Sequence, residues 1–462
     1  MRGHSSAATT AAGERDPATA FSFVAEREWR KGNRERLSCY ASYVTLQDFT
    51  IQASVQHESA GNLINWVHGS YLTIRNVHFG SCYYHPLEID QSKQILVENC
   101  RFFGANTGIS GSRIQLDYGA AGPTNRPAGI TTRTVEDLTV QNCVFEERTA
   151  GESASARDIE LTHNGTELVL NRVTFRGCHF TGRNEQSVSI VDIGGANSGG
   201  AVKELLFERC TFVTTHPKSY AFYMAQSGGM TFRGIRFRQC EFTGPSAIFL
   251  VAGGSVTSTY SATHSLRHEG EVTGCRFILD KTQMPVSTDL NLIIAVAWSS
   301  FRFDNNYIEC NGDFPVSVGL NYSRLGLFTN SLWTEVTNNR IVWNGNATFG
   351  VNRLALLVDV ATPDNAGTTQ GVIFEGNRFF SAAGTGWSYG LFIQRGTTYP
   401  GTSAARRGLA VLTTTCRAVK AILARLGLTQ AAIRFHRDDP KTTKTCPGKK
   451  VTKAQFLELL AV

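Results

Sequence analysis

Methionine is scarce in this chain, with 4 among 462 residues, and tryptophan and proline number only 6 and 12. No window approaches the roughly 18 consecutive apolar residues of a membrane-spanning helix, which argues against a membrane partner. None of the 11 cysteines is spaced as Cys-x-x-Cys, so the usual ligand spacing of a structural zinc site is missing. Met1 to Ala20 is rich in Ala, Ser and Thr but lacks the apolar stretch of a secretory signal. The expectation is a protein built into a virion or released by lysis, and otherwise cytoplasmic. Charged residues make up 18% and hydrophobic ones 42%, a globular balance that excludes wholesale disorder. Glycine (44) and phenylalanine (28) are plentiful, which favours a β-rich architecture with many turns over a helical bundle.

The net charge of +7 is unevenly placed. From Thr402 to Val462, twelve Lys or Arg face three acids, a balance of +9, so the other 401 residues sum to −2. A nucleic-acid partner needs a basic face on the main body, and the main body has no such excess.

Internal repeats decide the fold. An alternating apolar run, then Asn, Cys or a small polar residue, one further residue, and a closing Phe or Ile recur eleven times. Examples are Tyr71 to Phe79, Ile95 to Phe102, Leu138 to Phe145 and Leu205 to Phe212. The residue two before the closing position marks each copy: Phe49, Val77, Cys100, Cys143, Cys178, Cys210, Cys240, Cys275, Asn306, Asn339 and Asn377, at gaps of 23 to 43 residues. Constant wording at variable spacing is what stacked coils with loops of different size produce. Alternation at period two marks strands, and each phrase is too short to bury its apolar face alone. Leucine-rich, ankyrin and propeller signatures are absent. The expected fold is mainly β, a parallel solenoid of about eleven coils. In that frame six cysteines form one reduced internal column that Asn continues.

These phrases, with their Cys/Asn and Phe columns, resemble the right-handed parallel β-helix proteins of the pectate-lyase-like superfamily. The resemblance covers about residues 38–395. It implies a right-handed coil and a range of activities on polysaccharides: lyases, polygalacturonases, epimerases and phage tail spikes. Fold alone does not choose among them. The expected organisation is a polar N-terminal segment or cap (1–37), the solenoid (38–395), a linker (396–407) and a small α/β appendage (408–462).

A solenoid aligns residues of neighbouring coils into long grooves. Aligning the strand before each phrase sets Asn65-Trp66-Val67-His68 against Leu87-Glu88-Ile89-Asp90, Ile114-Gln115-Leu116-Asp117, Ile159-Glu160-Leu161-Thr162 and Ser189-Ile190-Val191-Asp192. The resulting column reads His68, Asp90, Asp117, Thr162, Asp192. Acids one or two coils apart lie about 5 or 10 Å apart, which brackets the carboxylate pairs of glycosidases. Asp90, Asp117 and Asp192 are therefore the candidate acid and base groups, with His68 assisting. Trp66, Tyr83, Tyr84 and His85 are candidates to stack on sugar rings, and Glu88 and Glu160 join them as substrate-binding residues. Lys93 and Arg113 are available as a lyase base, although no motif singles them out. Turn statistics alone explain Asp and His at strand ends equally well. The long insertions between Gly119 and Glu136 and from Ser255 to Glu269 are expected to flank the groove.

After Tyr399 to Gly401 the vocabulary changes. Cys416 to Leu428 reads as an amphipathic helix with Val419, Leu423 and Leu426 on one face, and a short strand leads to His436. His436, Lys444 and Cys446-Pro-Gly448 resemble the C-terminal end of zinc-dependent N-acetylmuramoyl-L-alanine amidases of phages and prophages. That resemblance implies zinc as cofactor, bound by His436 and Cys446, with Lys444 stabilising the oxyanion. It spans only about residues 408–462, and no third zinc ligand is in place. Catalytic zinc wants three protein ligands plus water. Amidase activity is therefore not expected.

Three readings follow: a tail-spike-like protein that binds or depolymerises a surface polysaccharide, a non-enzymatic structural β-helix or adhesin, and a cell-wall amidase. The expected partner is a polysaccharide or cell-wall glycan, and a homotrimer is one assembly such a chain could form.

Overall fold

A computed structural model describes residues 20–21, 37–39, 42–52, 62–67, 69–104, 111–117, 134–146, 157–163, 169–182, 186–192, 201–214, 220–225, 231–244, 249–252, 269–280, 293–296, 300–311, 322–329, 333–344, 352–359, 371–381 and 389–394, with 419–420, 423–425 and 429 of the tail. The chain divides into two compact units, Met1–Gly396 and Thr397–Val462. The first is strand throughout its regular elements. In the second, Val419, Lys420, Leu423, Ala424 and Arg425 are helical, inside the helix expected from 416 to 428. No helix among the described residues is long and apolar enough to cross a membrane.

Every coil repeats one path. A strand of a twelve-stranded sheet leads into a second, 21-stranded sheet, where the chain bends sharply; Val44–Ile51 and Ser70–Phe79 run through the bend unbroken, and from Lys93 onward it divides each coil's run into two strands. All pairings are parallel and link each coil to the next, as between Leu138 and Val173, Val173 and Leu205, and Leu205 and Ile235. Ala20–Phe21 also joins this sheet, pairing Ala20 with Thr45.

The bend explains the repeat wording. The residue before each of the eleven markers has a left-handed backbone. These are Asp48, Asn76, Asn99, Asn142, Gly177, Arg209, Gln239, Gly274, Asn305, Asn338 and Gly376. One left-handed residue between two extended segments turns the chain and starts a new face. Asn, Asp and Gly suit that conformation best, which is why they dominate. At Gly376 a Cβ would run into Asn338 Oδ1, so the close approach of successive turns adds to the demand for glycine.

The marker that follows points inward. Cys100, Cys143, Cys178, Cys210, Cys240 and Cys275 are buried and free, as their shared position implies. Each thiol donates to a main-chain carbonyl of the previous coil, for example Cys178 to Val140 at 3.4 Å and Cys240 to Phe207 at 3.4 Å. The Asn column makes the same bond with an amide: Asn306 to Val272 and Asn339 to Phe303, both at 3.0 Å. It adds a second, because each Oδ1 accepts the N–H of the preceding marker (Cys275 to Asn306 at 2.8 Å, Asn306 to Asn339 at 2.9 Å). Thiol and amide thus perform one task, satisfying main-chain groups at a bend that the sheet ladder leaves behind.

Two residues beyond the markers, Phe79, Phe102, Phe145, Phe180, Phe212, Phe242 and Phe277 stack ring on ring, with centroids 4.5 to 4.9 Å apart. Isolated aromatic pairs avoid face-to-face stacking, but here the interstrand spacing imposes it. A second ladder, Phe175, Phe207 and Phe237, packs edge-on against the first. The core is this pair of aromatic columns with the Leu, Ile and Val rows beside them.

Candidate functional site

The two sheets differ in how they are connected. Where the 21-stranded sheet bends, the link is a pair of residues in coil after coil, as at Asn99-Cys100 and Asn142-Cys143. On the two sides of the twelve-stranded sheet the connections run from two residues (91–92) to sixteen (118–133 and 253–268). Chemical variety therefore collects around the twelve-stranded sheet, on a rigid frame.

On that sheet Leu87, Ile89, Ile114, Leu116, Ile159 and Leu161 point into the core and are buried. The alternate residues form the opposite face. Register pairs Asn65 with Glu88, Glu88 with Gln115 and Gln115 with Glu160. One row thus runs amide, acid, amide, acid across four coils, and continues as Ser189 and Tyr223. Asn65 donates to Glu88 (Nδ2 to Oε2, 3.1 Å), and Arg157 donates to Glu160 (Nη1 to Oε2, 2.8 Å). Asn65, Gln115 and Glu160 are nonetheless largely buried. Buried polar groups held in a ladder are oriented in advance, and they offer a hydroxylated ligand fixed donors and acceptors.

The next outward row contains the candidate acids, and its register corrects the expected column. Asp90 lies opposite Asp117, as expected, one interstrand spacing of about 4.8 Å away along the axis. Opposite Asp90 on the other side, however, is Val67 rather than His68. Asp192 pairs with His163, and Val191 takes the place opposite Thr162. The true register differs from the expected one by one residue at both ends. Asp192 is therefore one residue out of register with the Asp90–Asp117 row. His68 lies outside the described residues. Asp90 itself is buried, and its carbonyl accepts the Ser92 hydroxyl at 2.7 Å in the turn that leaves the sheet.

Trp66 is a second correction. It pairs with Ile89, shares the inward parity and is fully buried, so it is a core residue and not a stacking platform. Tyr84 is partly exposed and packs edge-on against Tyr83 at 4.5 Å. His85 is buried, its Nδ1 accepting the Ser112 N–H at 3.1 Å. Neither proposed lyase base stands free in the row. Lys93 belongs to the other sheet and pairs with Glu136 at 3.2 Å. Arg113 is buried beside Asp158 at 3.7 Å and donates to the Phe102 carbonyl at 2.9 Å, which ties the sheet to the preceding strand. His436, Lys444 and Cys446 lie outside the described residues. Asn65, Gln115 and Arg157 were missed as site residues, although the register-true alignment would have exposed the first two.

The architecture is a right-handed parallel β-helix. Residues 37–262 match the family described as "Right handed beta helix region". Among solved structures, the chain is similar to PfbA, a surface adhesin of Streptococcus pneumoniae, at 16% identity and a TM-score of 0.45, over 75% of this chain and 72% of that one. No curated protein matches the sequence.

Proposed function

We propose that this chain is a tail-spike-like protein, carried on a virion or released by lysis, that binds a surface polysaccharide along the N-terminal coils of the twelve-stranded sheet. The observation that carries the reading is the row Asn65, Glu88, Gln115 and Glu160 beside the Asp90–Asp117 step, on the face flanked by connections of unequal length. A ladder of alternating amides and carboxylates suits ring hydroxyls along a chain molecule. Two carboxylates one coil apart supply the acid and base of a depolymerase, because neighbouring like charges separate their pKa values. Asp192 drops out of this assignment.

Binding without bond cleavage is the second reading. It is favoured by the burial of Asp90, which holds one of the two candidate acids away from a chain lying on the surface.

A panel of capsular and acidic polysaccharides separates the two. Reducing ends or unsaturated products, lost in Asp90→Asn and Asp117→Asn with little change in melting temperature, are the expected result of a depolymerase. Binding that persists with no product supports the adhesin-like reading. If no polysaccharide in the panel binds, both readings of this face fail.

A further inference from the structure

The outer face of the 21-stranded sheet carries a feature independent of the row just described. Beside the bend column runs a second left-handed column at the start of the longer strands: Tyr43, Tyr71, Gln94, Asp137, Arg172 and Glu204. Tyr43 and Tyr71 both have φ of 60°. The conformation belongs to the repeat, since all six coils share it; what sets Tyr43 and Tyr71 apart is that the turn here carries an aromatic ring out to the surface. The two rings stack at 4.5 Å, nearly parallel, and each is about half exposed. Buried ladders in this molecule stabilise its core, whereas this pair stands in solvent.

The stack stops at Tyr71. Register places Gln94 next in the column, since Ser70 pairs with Lys93 and Leu72 with Ile95. Beyond Tyr71 a shallow open groove of about 570 Å³ begins, lined by Gln94, Leu96, Thr139, Gln141 and Arg176 among others. It crosses four coils, about 14 Å along the axis. Its floor is the short, uncharged row Thr73, Leu96 and Thr139. Its rim is amide and paired charge: Gln141 donates to Glu98 at 3.0 Å, Arg176 pairs with Glu208 at 2.8 Å, and Arg172 with Asp137 at 2.6 Å. Those pairings leave the rim close to neutral.

We infer that this groove is a second carbohydrate site, specific for a short neutral oligosaccharide whose terminal ring packs against the solvent-exposed side of the Tyr43–Tyr71 stack. The pyranose C–H face packs against the exposed tyrosine rings, and the amide and hydroxyl groups of Gln94, Thr139 and Gln141 meet the ring hydroxyls. A flat, uncharged floor admits an unbranched chain and offers nothing to a polyanion.

The test is saturation-transfer NMR on the full chain with hexasaccharides of α- and β-linked glucose and galactose. Transfer from tyrosine protons to at least one of these is expected, with affinity falling about tenfold or more in Tyr71→Asn, which removes the ring while keeping a residue tolerant of left-handed backbone. Thr139→Arg, which fills the floor without touching the turn, is expected to give a similar loss. Absence of transfer to every hexasaccharide overturns the inference, and so does wild-type affinity in both variants.

Discussion

At the bend, Asn339 is bonded on every side. Its Nδ2 reaches the Phe303 carbonyl at 3.0 Å and Asn377 Oδ1 at 2.8 Å, while its Oδ1 accepts the Asn306 N–H and side-chain amide at 2.9 and 3.0 Å. Removing it leaves several buried groups unsatisfied, each of which costs about 1–3 kcal/mol. Asn339→Ala is therefore expected to destabilise the first unit by about 2 kcal/mol or more, and Asn339→Cys by less, because a thiol restores part of the pattern seen at Cys178 and Cys240. Denaturant melts of the three proteins check the order; equal losses for Ala and Cys would show that the two columns are not equivalent. Burial pushes the Cys143, Cys210 and Cys240 thiols up, which keeps them inert. A thiol reagent should label these cysteines only after unfolding.

Strand and turn obey different demands. Arg209 occupies a left-handed position with its side chain largely exposed, and its nearest acid, Glu208, is 3.5 Å away in a weak surface pair. Arg209→Asn keeps the turn and relieves the backbone, so a gain of up to about 1 kcal/mol is expected, seen as a higher melting temperature. The outer rows of the 21-stranded sheet carry ion pairs between coils. The hydrogen bond from Arg75, with Gln141 behind it, holds Glu98 below its ordinary carboxylate value, and Arg172 does the same for Asp137. A carboxyl whose pKa is lower in the folded chain binds fewer protons there than when unfolded. Its stabilisation is therefore present above about pH 4 and fades as pH falls through the folded value. Both pairs are exposed and the effect is small. Melts between about pH 2.5 and 6 should show a falling melting temperature at the acid end, with a shallower slope in Arg75→Gln combined with Arg172→Gln.

The two units of the molecule carry unequal chemical promise. The solenoid supplies aligned rows on both sheets, and each row follows from stacking alone. In the tail the resemblance implies two zinc ligands, His436 and Cys446, and metal affinity arises from a complete, oriented ligand set. The expected outcome is no stoichiometric zinc after dialysis against a mild chelator and no release of peptide from purified peptidoglycan. Zinc that survives dialysis and disappears in His436→Ala would restore the amidase reading.

Strands, coil number, the Cys/Asn column and the Phe column were legible in the sequence because each depends on a local pattern. Period-two alternation defines a strand, and a left-handed residue demands Asn, Asp or Gly nearby. The eleven markers and the eleven left-handed residues before them record the same physical event. Register between coils was not legible to that degree. The strands of the twelve-stranded sheet are short, and nothing as regular as the bend anchors them, so sequence pattern alone sets His68 and Asp192 one residue off their true partners' row. Local sequence also shows Trp66 as an aromatic near acids, whereas only the parity of the sheet shows that it faces the core. The Tyr43–Tyr71 stack and the groove beyond it join residues 23 and more positions apart, brought together by coil upon coil. Sequence by itself determined that this chain coils and where it bends. Tertiary structure decided which side chains share a row, because one residue of register moves a side chain from solvent to core.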